Sequence, residues 1–224
     1  IILIYIMKKL NVKKVAVPQN LKAEQVIEIL DSNNIPFEVV DNVNWSEYPY
    51  KPSMKFRIAH TGDKILVNYE VEEASVRAVA PHDNGSVWED ACCEFFLQPD
   101  EASGKYYNFE CNCAGTLLNG YGVPGDREHA CDEIMKSIDR WASLGREPFE
   151  ERMGDCKWSL TLVIPTTALF RDEIHSLDGR DMRANFYKCG NKLTTPHFLS
   201  WNKIDLPSPC FHCPPFFGQV HFEA

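Results

Sequence analysis

At 224 residues with 44% hydrophobic content, the chain is long enough to bury a substantial core, and one domain is expected because all-β sandwiches of this size are common. A formal net charge of -9 argues against a nucleic-acid backbone or an anionic membrane surface as partner. No apolar run is long enough to span a bilayer.

The opening Ile1-Ile2-Leu3-Ile4-Tyr5-Ile6 is apolar but too short for a signal h-region, and Lys8 and Lys9 follow it rather than precede it. Two readings stay open: an upstream extension of a protein that begins at Met7, or an N-terminal strand. Residues 12–41 read as an appendage covering a sheet edge. It holds a Val12–Val17 strand, a helix over Ala23–Ser32 with Val26, Ile27, Ile29 and Leu30 near one face, then an extended Phe37–Val40. Asn44-Trp45 and Tyr48-Pro49-Tyr50-Lys51-Pro52 form a rigid aromatic loop in which Trp45 is a packing anchor. With residues 1–52 as this appendage, the whole chain, 1–224, is expected to be one domain. The clearest hairpin follows, Met54–His60 and Lys64–Val71 about Thr61-Gly62-Asp63, where Ile65, Val67, Tyr69 and Val71 alternate with polar partners.

The stretch Val87–Gly115 organises the rest. Ala91–Gln98 and Tyr106–Cys113 read as two strands joined by the polar turn Pro99–Gly104. Alternation puts Cys93, Phe95 and Leu97 on one face and Cys92, Glu94, Phe96 and Gln98 on the other. In the second strand Tyr107, Phe109, Cys111 and Cys113 form an apolar set, while Tyr106, Asn108, Glu110 and Asn112 form a polar set that can adjoin Glu94 if the strands pair. Trp88 stands between Asp83-Asn84-Gly85-Ser86 and Glu89-Asp90, which is loop chemistry and places it at a sandwich rim. Carboxylates and carboxamides on a rigid sheet match the donors and acceptors of a polyhydroxylated ligand, and an indole covers the C–H face of a sugar ring.

Residues 120–155 break the β pattern. Gly120, Gly122, Pro124 and Gly125 read as a loop, Glu128–Ile138 as a short helix, and Arg146–Asp155 as an exposed charged stretch. Strands return at Cys156–Ile164 and at Asp181–Cys189, the latter with Arg183, Asn185 and Tyr187 opposing Met182, Ala184 and Phe186. Trp201, after Phe198 and Leu199, reads as buried. The expected architecture is an all-β, antiparallel β-sandwich of jelly-roll type with one or two short peripheral helices.

Nine cysteines are an odd number, Cys92 and Cys93 are adjacent, and Cys111 and Cys113 share an inward face. Buried thiols in a reducing, cytoplasmic compartment explain this better than disulfides; a secreted or periplasmic location follows if an upstream signal has been removed. Cys210-Phe211-His212-Cys213 has the spacing of half a zinc site, but no second such pair completes it, so no metal is expected there.

Trp88-Glu89-Asp90, then Cys93-Glu94-Phe95-Phe96-Leu97, then Tyr107 to Leu118 resemble the central motif of the family 9 carbohydrate-binding modules. Leu199-Ser200-Trp201, Phe211-His212-Cys213-Pro214, Phe217-Gly218 and Val220-His221-Phe222 are similar to the end of the same family, so the likeness runs from about Ile58 to the C-terminus. The resemblance implies non-catalytic binding of a mono- or oligosaccharide, linked to polysaccharide or glycan catabolism. It also implies a ligand site made of Trp88, Glu94, Glu110, Asn112, Asn185 and Phe211. Asn185 matches a strand asparagine near the family's ligand, and Phe211 stands where a second aromatic platform is expected. Glu110 departs from the pattern, since some members carry a basic residue there. Structural calcium occurs in some relatives, for which the loop acids Asp83, Glu89 and Asp90 are conceivable; no other cofactor is implied.

Two alternatives remain. Glu94 and Glu110, on paired strands, could lie about 5 Å apart, the spacing of a retaining glycoside hydrolase. Related sandwiches bind haem, for which His60, His82 and Met54 are the candidates.

Overall fold

The computed structural model describes residues 7–224, and the two readings of the opening six residues lie outside the described residues. In chain order the first strands are β1 (Lys9–Lys14), β2 (Glu38–Val39), β3 (Asn42–Val43), β4 (Ser53–His60) and β5 (Lys64–Ala78), with helix α1 (Val26–Ser32) after β1. Next come β6 (Cys92–Gln98), β7 (Tyr106–Asn112), β8 (Leu117–Val123), β9 (Asp126–His129), helix α2 (Asp132–Ser137) and β10 (Asp139–Ala142). β11 (Phe149–Pro165), β12 (Asp181–Cys189), β13 (Phe198–Ser200) and β14 (Gly218–Phe222) follow.

The alternation read from β6 and β7 decides the architecture. Cys93, Phe95, Leu97, Tyr107, Phe109 and Cys111 turn inward and are fully buried. They belong to a front sheet ordered β14-β12-β6-β7-β8-β9, which packs on a back sheet ordered β4-β5-β11-β10. Between the sheets Phe186 stacks on Phe56 at 3.6 Å and on Phe95 at 4.8 Å between ring centroids. Each such buried ring contributes about 1.5–3 kcal/mol relative to exposure. The result is the expected antiparallel jelly-roll sandwich with two short helices. Strand β1 is the exception, because it runs parallel to both neighbours: Lys9–Val12 pairs with β14 and Lys13–Lys14 with β4, tying one sheet to the other.

Both outer faces are covered. Helix α1 packs Val26 and Leu30 against Ala59, Leu66 and Val163, so the N-terminal segment shields the face of the back sheet, while β2, like the end of β1, pairs along β4. On the front sheet, Cys92, Phe96, Tyr106 and Tyr187 pack beneath Trp45, Ile204, Phe211 and Phe217. The polar face of β6 and β7 therefore carries a roof, built by 203–217 and anchored by Trp45, whose indole Nε1 donates to Leu206 O at 2.9 Å.

Between residues 117 and 165 the structure departs from the sequence reading. The glycine-rich stretch is β8, paired with β7 through Gly120 opposite Asn108 and Gly122 opposite Tyr106. Glycine here serves close approach rather than a loop: a Cβ on Gly120 would lie 2.6 Å from Asn108 Oδ1, and one on Gly122, at φ +139, would lie 2.2 Å from Asp126 O. The expected helix shrinks to Asp132–Ser137, since β9 takes residues to its N-terminal side. The charged stretch Arg146–Asp155 is largely exposed as expected, but from Phe149 it is strand, part of β11 through register shifts at Phe149/Arg152 and Met153/Cys156. Bulges absorb the irregular spacing that hides its period of two.

Candidate functional site

Trp88, Glu89 and Asp90 each do a different job in one tight turn. Asp90 is buried, and its Oδ2 accepts hydrogen bonds from Val79 N, Ala80 N and Asn112 Nδ2 at 3.0, 2.9 and 2.9 Å, which fastens the turn to β7. Glu89 pairs with Lys192 at 2.9 Å, and the carbonyls of Trp88 and Glu89 accept from Asn191 N and Lys192 N. With its backbone held on both sides, the Trp88 side chain is 36% exposed and lines a cavity of about 400 Å³. Few large apolar side chains among the described residues share such exposure, and a fixed exposed indole at a cavity wall suits ligand stacking.

Glu94 and Glu110 face each other across β6 and β7 and both line this cavity. Glu94 Oε1 accepts from Cys189 Sγ at 3.0 Å, and Glu110 Oε1 accepts from Asn108 Nδ2 at 2.7 Å. No hydrogen bond from the described residues reaches either Oε2. Burial pushes the Glu94 carboxyl well above the usual carboxylate range, helped by Cys189 and by the charge of Glu110. Burial also pushes Glu110 up to about 7, against the lowering effects of the Asn108 hydrogen bond and the Arg127 charge.

Around this floor the roof supplies Phe211, stacked on Tyr187 at 4.2 Å, and His212, whose Nδ1 lies 2.7 Å from Tyr106 OH. Burial holds His212 down to about 4, with Arg127 adding to the effect, so the imidazole is neutral at physiological pH. The Arg127 guanidinium is 4.1 Å from the Tyr106 ring centroid and donates to Gly122 O, Tyr106 O and Asn108 Oδ1.

The structure thus brings Trp88, Glu94, Glu110 and Phe211 to one cavity, and Asn112 and Asn185 stand elsewhere. Both asparagines lie on the outward face of the sheet, yet their amides are consumed by the chain. Asn185 Nδ2 donates to Asn202 O and Phe216 O while its Oδ1 accepts from Phe186 N and Asn202 N, which pins the roof to β12. Asn112 Oδ1 accepts from Ala114 N and Thr116 N at 3.1 and 2.9 Å, which closes the turn into β8. Asn112→Ala is therefore expected to cost about 1–3 kcal/mol in denaturant unfolding while leaving ligand affinity intact, since it strands buried N–H groups. Lost affinity at unchanged stability would return Asn112 to the binding site.

Asn108, Arg127, His129, Asn191 and His212 also line the cavity and were not singled out as site residues from sequence. Asn108 was within reach of that reading, since it shares the polar period of β7. Arg127 was not, because its segment reads as loop and helix.

Other expected ligand sets do not assemble. Asp83 is held by both Arg140 terminal nitrogens at 2.7 and 2.8 Å and by Leu117 N, and with Asp90 and Glu89 engaged as above, the loop acids form no calcium cage. Met54 and His60 lie at opposite ends of β4, buried in the core, and His82 is exposed, so they cannot share a haem. Cys210 and Cys213 bring their sulfurs within 3.1 Å of each other without further metal-type donors. Cys92 Sγ, a Glu94 oxygen and Cys189 Sγ lie within 4.8 Å of one another, the single grouping of metal-type donors among the described residues. Burial pushes the Cys92 thiol and the Glu94 carboxyl well above their ordinary ranges, and Cys189 donates its S–H to Glu94, so this is a hydrogen-bonded thiol–carboxyl cluster.

Comparison with known proteins bears on the family and the fold. The model of carbohydrate-binding family 9 matches residues 24–222. The crystal structure of a candidate carbohydrate-binding protein from Bacteroides uniformis is 56% identical, covering 97% of this chain and 100% of its own, with a TM-score of 0.95. A family 9 carbohydrate-binding module from Caldicellulosiruptor kristjanssonii in complex with cellotriose shares the fold at a TM-score of 0.61 and 12% identity, covering 96% of this chain and 94% of that one. A family 9 module from the same organism in complex with glucose gives 0.58 at 11% identity, covering 96% of each chain. No curated protein matches the chain. With almost its whole length matched by the family model and a Trp-Glu-Asp turn beside a sheet-borne glutamate at its cavity, the chain belongs to carbohydrate-binding family 9.

Proposed function

We propose that this protein binds a mono- or oligosaccharide without turning it over, in the service of polysaccharide or glycan breakdown. One observation carries the reading: two facing carboxyls, each with an oxygen free of the chain, line one cavity with Trp88 and Phe211. The aromatic side chains cover the apolar face of a sugar ring, and the carboxyls accept from its hydroxyls. The cellotriose and glucose complexes of the family 9 modules from Caldicellulosiruptor kristjanssonii support the same ligand class. Preorganisation on paired strands lowers the ordering cost, so modest contacts suffice for binding. Calorimetry over mono- and oligosaccharides tests this, with Trp88→Ala expected to weaken binding roughly tenfold, about 1.4 kcal/mol. The proposal fails if no saccharide binds or if Trp88→Ala binds as well as the parent.

The direct opposition of Glu94 and Glu110 also favours a second reading, glycoside hydrolysis. That chemistry needs one carboxylate ionised as nucleophile or base and one protonated as acid. Both carboxyls here are pushed upward by burial, which leaves the ionised partner without a source of stabilisation. Turnover of aryl glycosides that disappears in Glu94→Gln would establish hydrolysis over simple binding.

A further inference from the structure

We propose that the saccharide taken by this cavity is an amino sugar, a pyranose whose free primary ammonium group enters between Glu94 and Glu110. This rests on the saccharide-binding reading and names the class of sugar. Two acids that are 2% and 4% exposed face each other on neighbouring strands, and among the described residues no lysine or arginine forms an ion pair with either. The nearby cations are occupied elsewhere. Arg127 donates to Gly122 O, Tyr106 O and Asn108 Oδ1 and lies over the Tyr106 ring. Lys188 is next in chain to Cys189 but turns to the opposite face of β12, where it pairs with Glu73 at 2.9 Å. His212 Nε2 stands 4.0 Å from Glu110 Oε1, and that imidazole is neutral at physiological pH.

A buried carboxyl pair without a cation is an unfavourable arrangement that a neutral ligand leaves unchanged. Hydroxyls donate one hydrogen bond each and bring no charge. An ammonium group brings three donors and a positive charge, so it can satisfy Glu94 Oε2 and Glu110 Oε2 together and remove the repulsion between them. Burial displaces both carboxyls upward, and a cation held between them would draw both back down. Trp88 at the cavity wall adds an electron-rich face, which favours a cationic ligand further.

Calorimetry on the parent protein at neutral pH, using glucose with glucosamine and galactose with galactosamine, tests the inference. The amino sugar of at least one pair is expected to bind roughly tenfold tighter than its neutral parent, about 1.4 kcal/mol. N-acetylglucosamine and N-acetylgalactosamine, whose nitrogen is uncharged, should gain nothing, and added salt should weaken the amino sugar more than the neutral one. In Glu110→Gln the ratio of amino-sugar to neutral-sugar affinity should fall toward one; the comparison between sugars stands even if that variant does not fold. Neutral sugars that bind as tightly as their amino derivatives, or acetylated ones that match the free amines, would overturn the inference and leave saccharide binding standing. Absence of binding by every sugar, charged or neutral, would remove both.

Discussion

Replacing Lys188 with methionine is expected to destabilise the fold by about 3–5 kcal/mol, lowering the melting temperature by roughly 10 °C. Lys188 extends from the inner face of β12 and is fully buried, its Nζ 2.9 Å from Glu73 Oε2 on β5, 2.9 Å from His197 Nε2 and 2.9 Å from Cys189 O. Burial alone would depress the Lys188 ammonium, but the Glu73 carboxylate outweighs it and the pKa sits above the ordinary lysine value. His197 is pushed down to about 2 by burial and by Lys188, so it stays neutral. Glu73 also accepts from Trp158 Nε1 at 2.7 Å, so the cluster ties β5, β11 and β12 together beneath the cavity. Methionine matches the lysine stem in length and leaves the Glu73 carboxylate buried without its cation. Removing both charges with Lys188→Met and Glu73→Gln should recover most of the loss, because a neutral pair fills the same space without an uncompensated ion. Chemical denaturation of the three variants decides this. A single variant costing under about 1 kcal/mol, or a double variant worse than either single, would show that the pair carries no such weight.

Glu110→Gln is expected to act in the opposite direction, stabilising the protein by about 3 kcal/mol above neutral pH. The Glu110 carboxyl rises from its ordinary value of 4.5 to about 7 in the folded chain, chiefly through burial. Between those two values the folded protein holds a proton that the unfolded chain has released, so stability falls as pH rises through this window. The contribution is fully present below the unfolded pKa and lost once pH passes the folded one. Glutamine cannot titrate and keeps an oxygen to accept from Asn108 Nδ2, so the variant should match the parent in acid and exceed it above neutrality. Guanidinium unfolding at about pH 4 and about pH 8 measures the difference, and parallel pH profiles for parent and variant would refute it. Reduced saccharide affinity in the same variant would mark Glu110 as a residue kept for binding at the expense of stability.

Much of this was legible before any coordinates. The hairpin about Gly62 locates part of the back sheet, and the motif residues with the alternation in β6 and β7 locate the front sheet and put Glu94 and Glu110 on one side of it, because a strand has only two faces and its period is local. Trp88 was legible as a rim residue from its turn-forming neighbours. The stretch before Asp155 was not, because bulges erase a period of two, and neither was β8, because its glycines answer to Asn108 and Asp126 across a strand pair.

Whether an outward-facing side chain meets ligand or protein depends on segments far away in the chain. Asn185 and Glu94 present the same local pattern, yet one is sealed by Asn202 and Phe216 while the other lines the cavity. Residue type and period therefore assign the face, and they are properties of a few neighbouring positions. The roof over that face comes from 203–217 and Trp45, and its placement follows from packing among Trp45, Phe198, Phe211 and Tyr187. The Trp45 contacts join residues more than a hundred positions apart, so only the folded chain reveals which polar groups the roof covers and which it leaves free to bind.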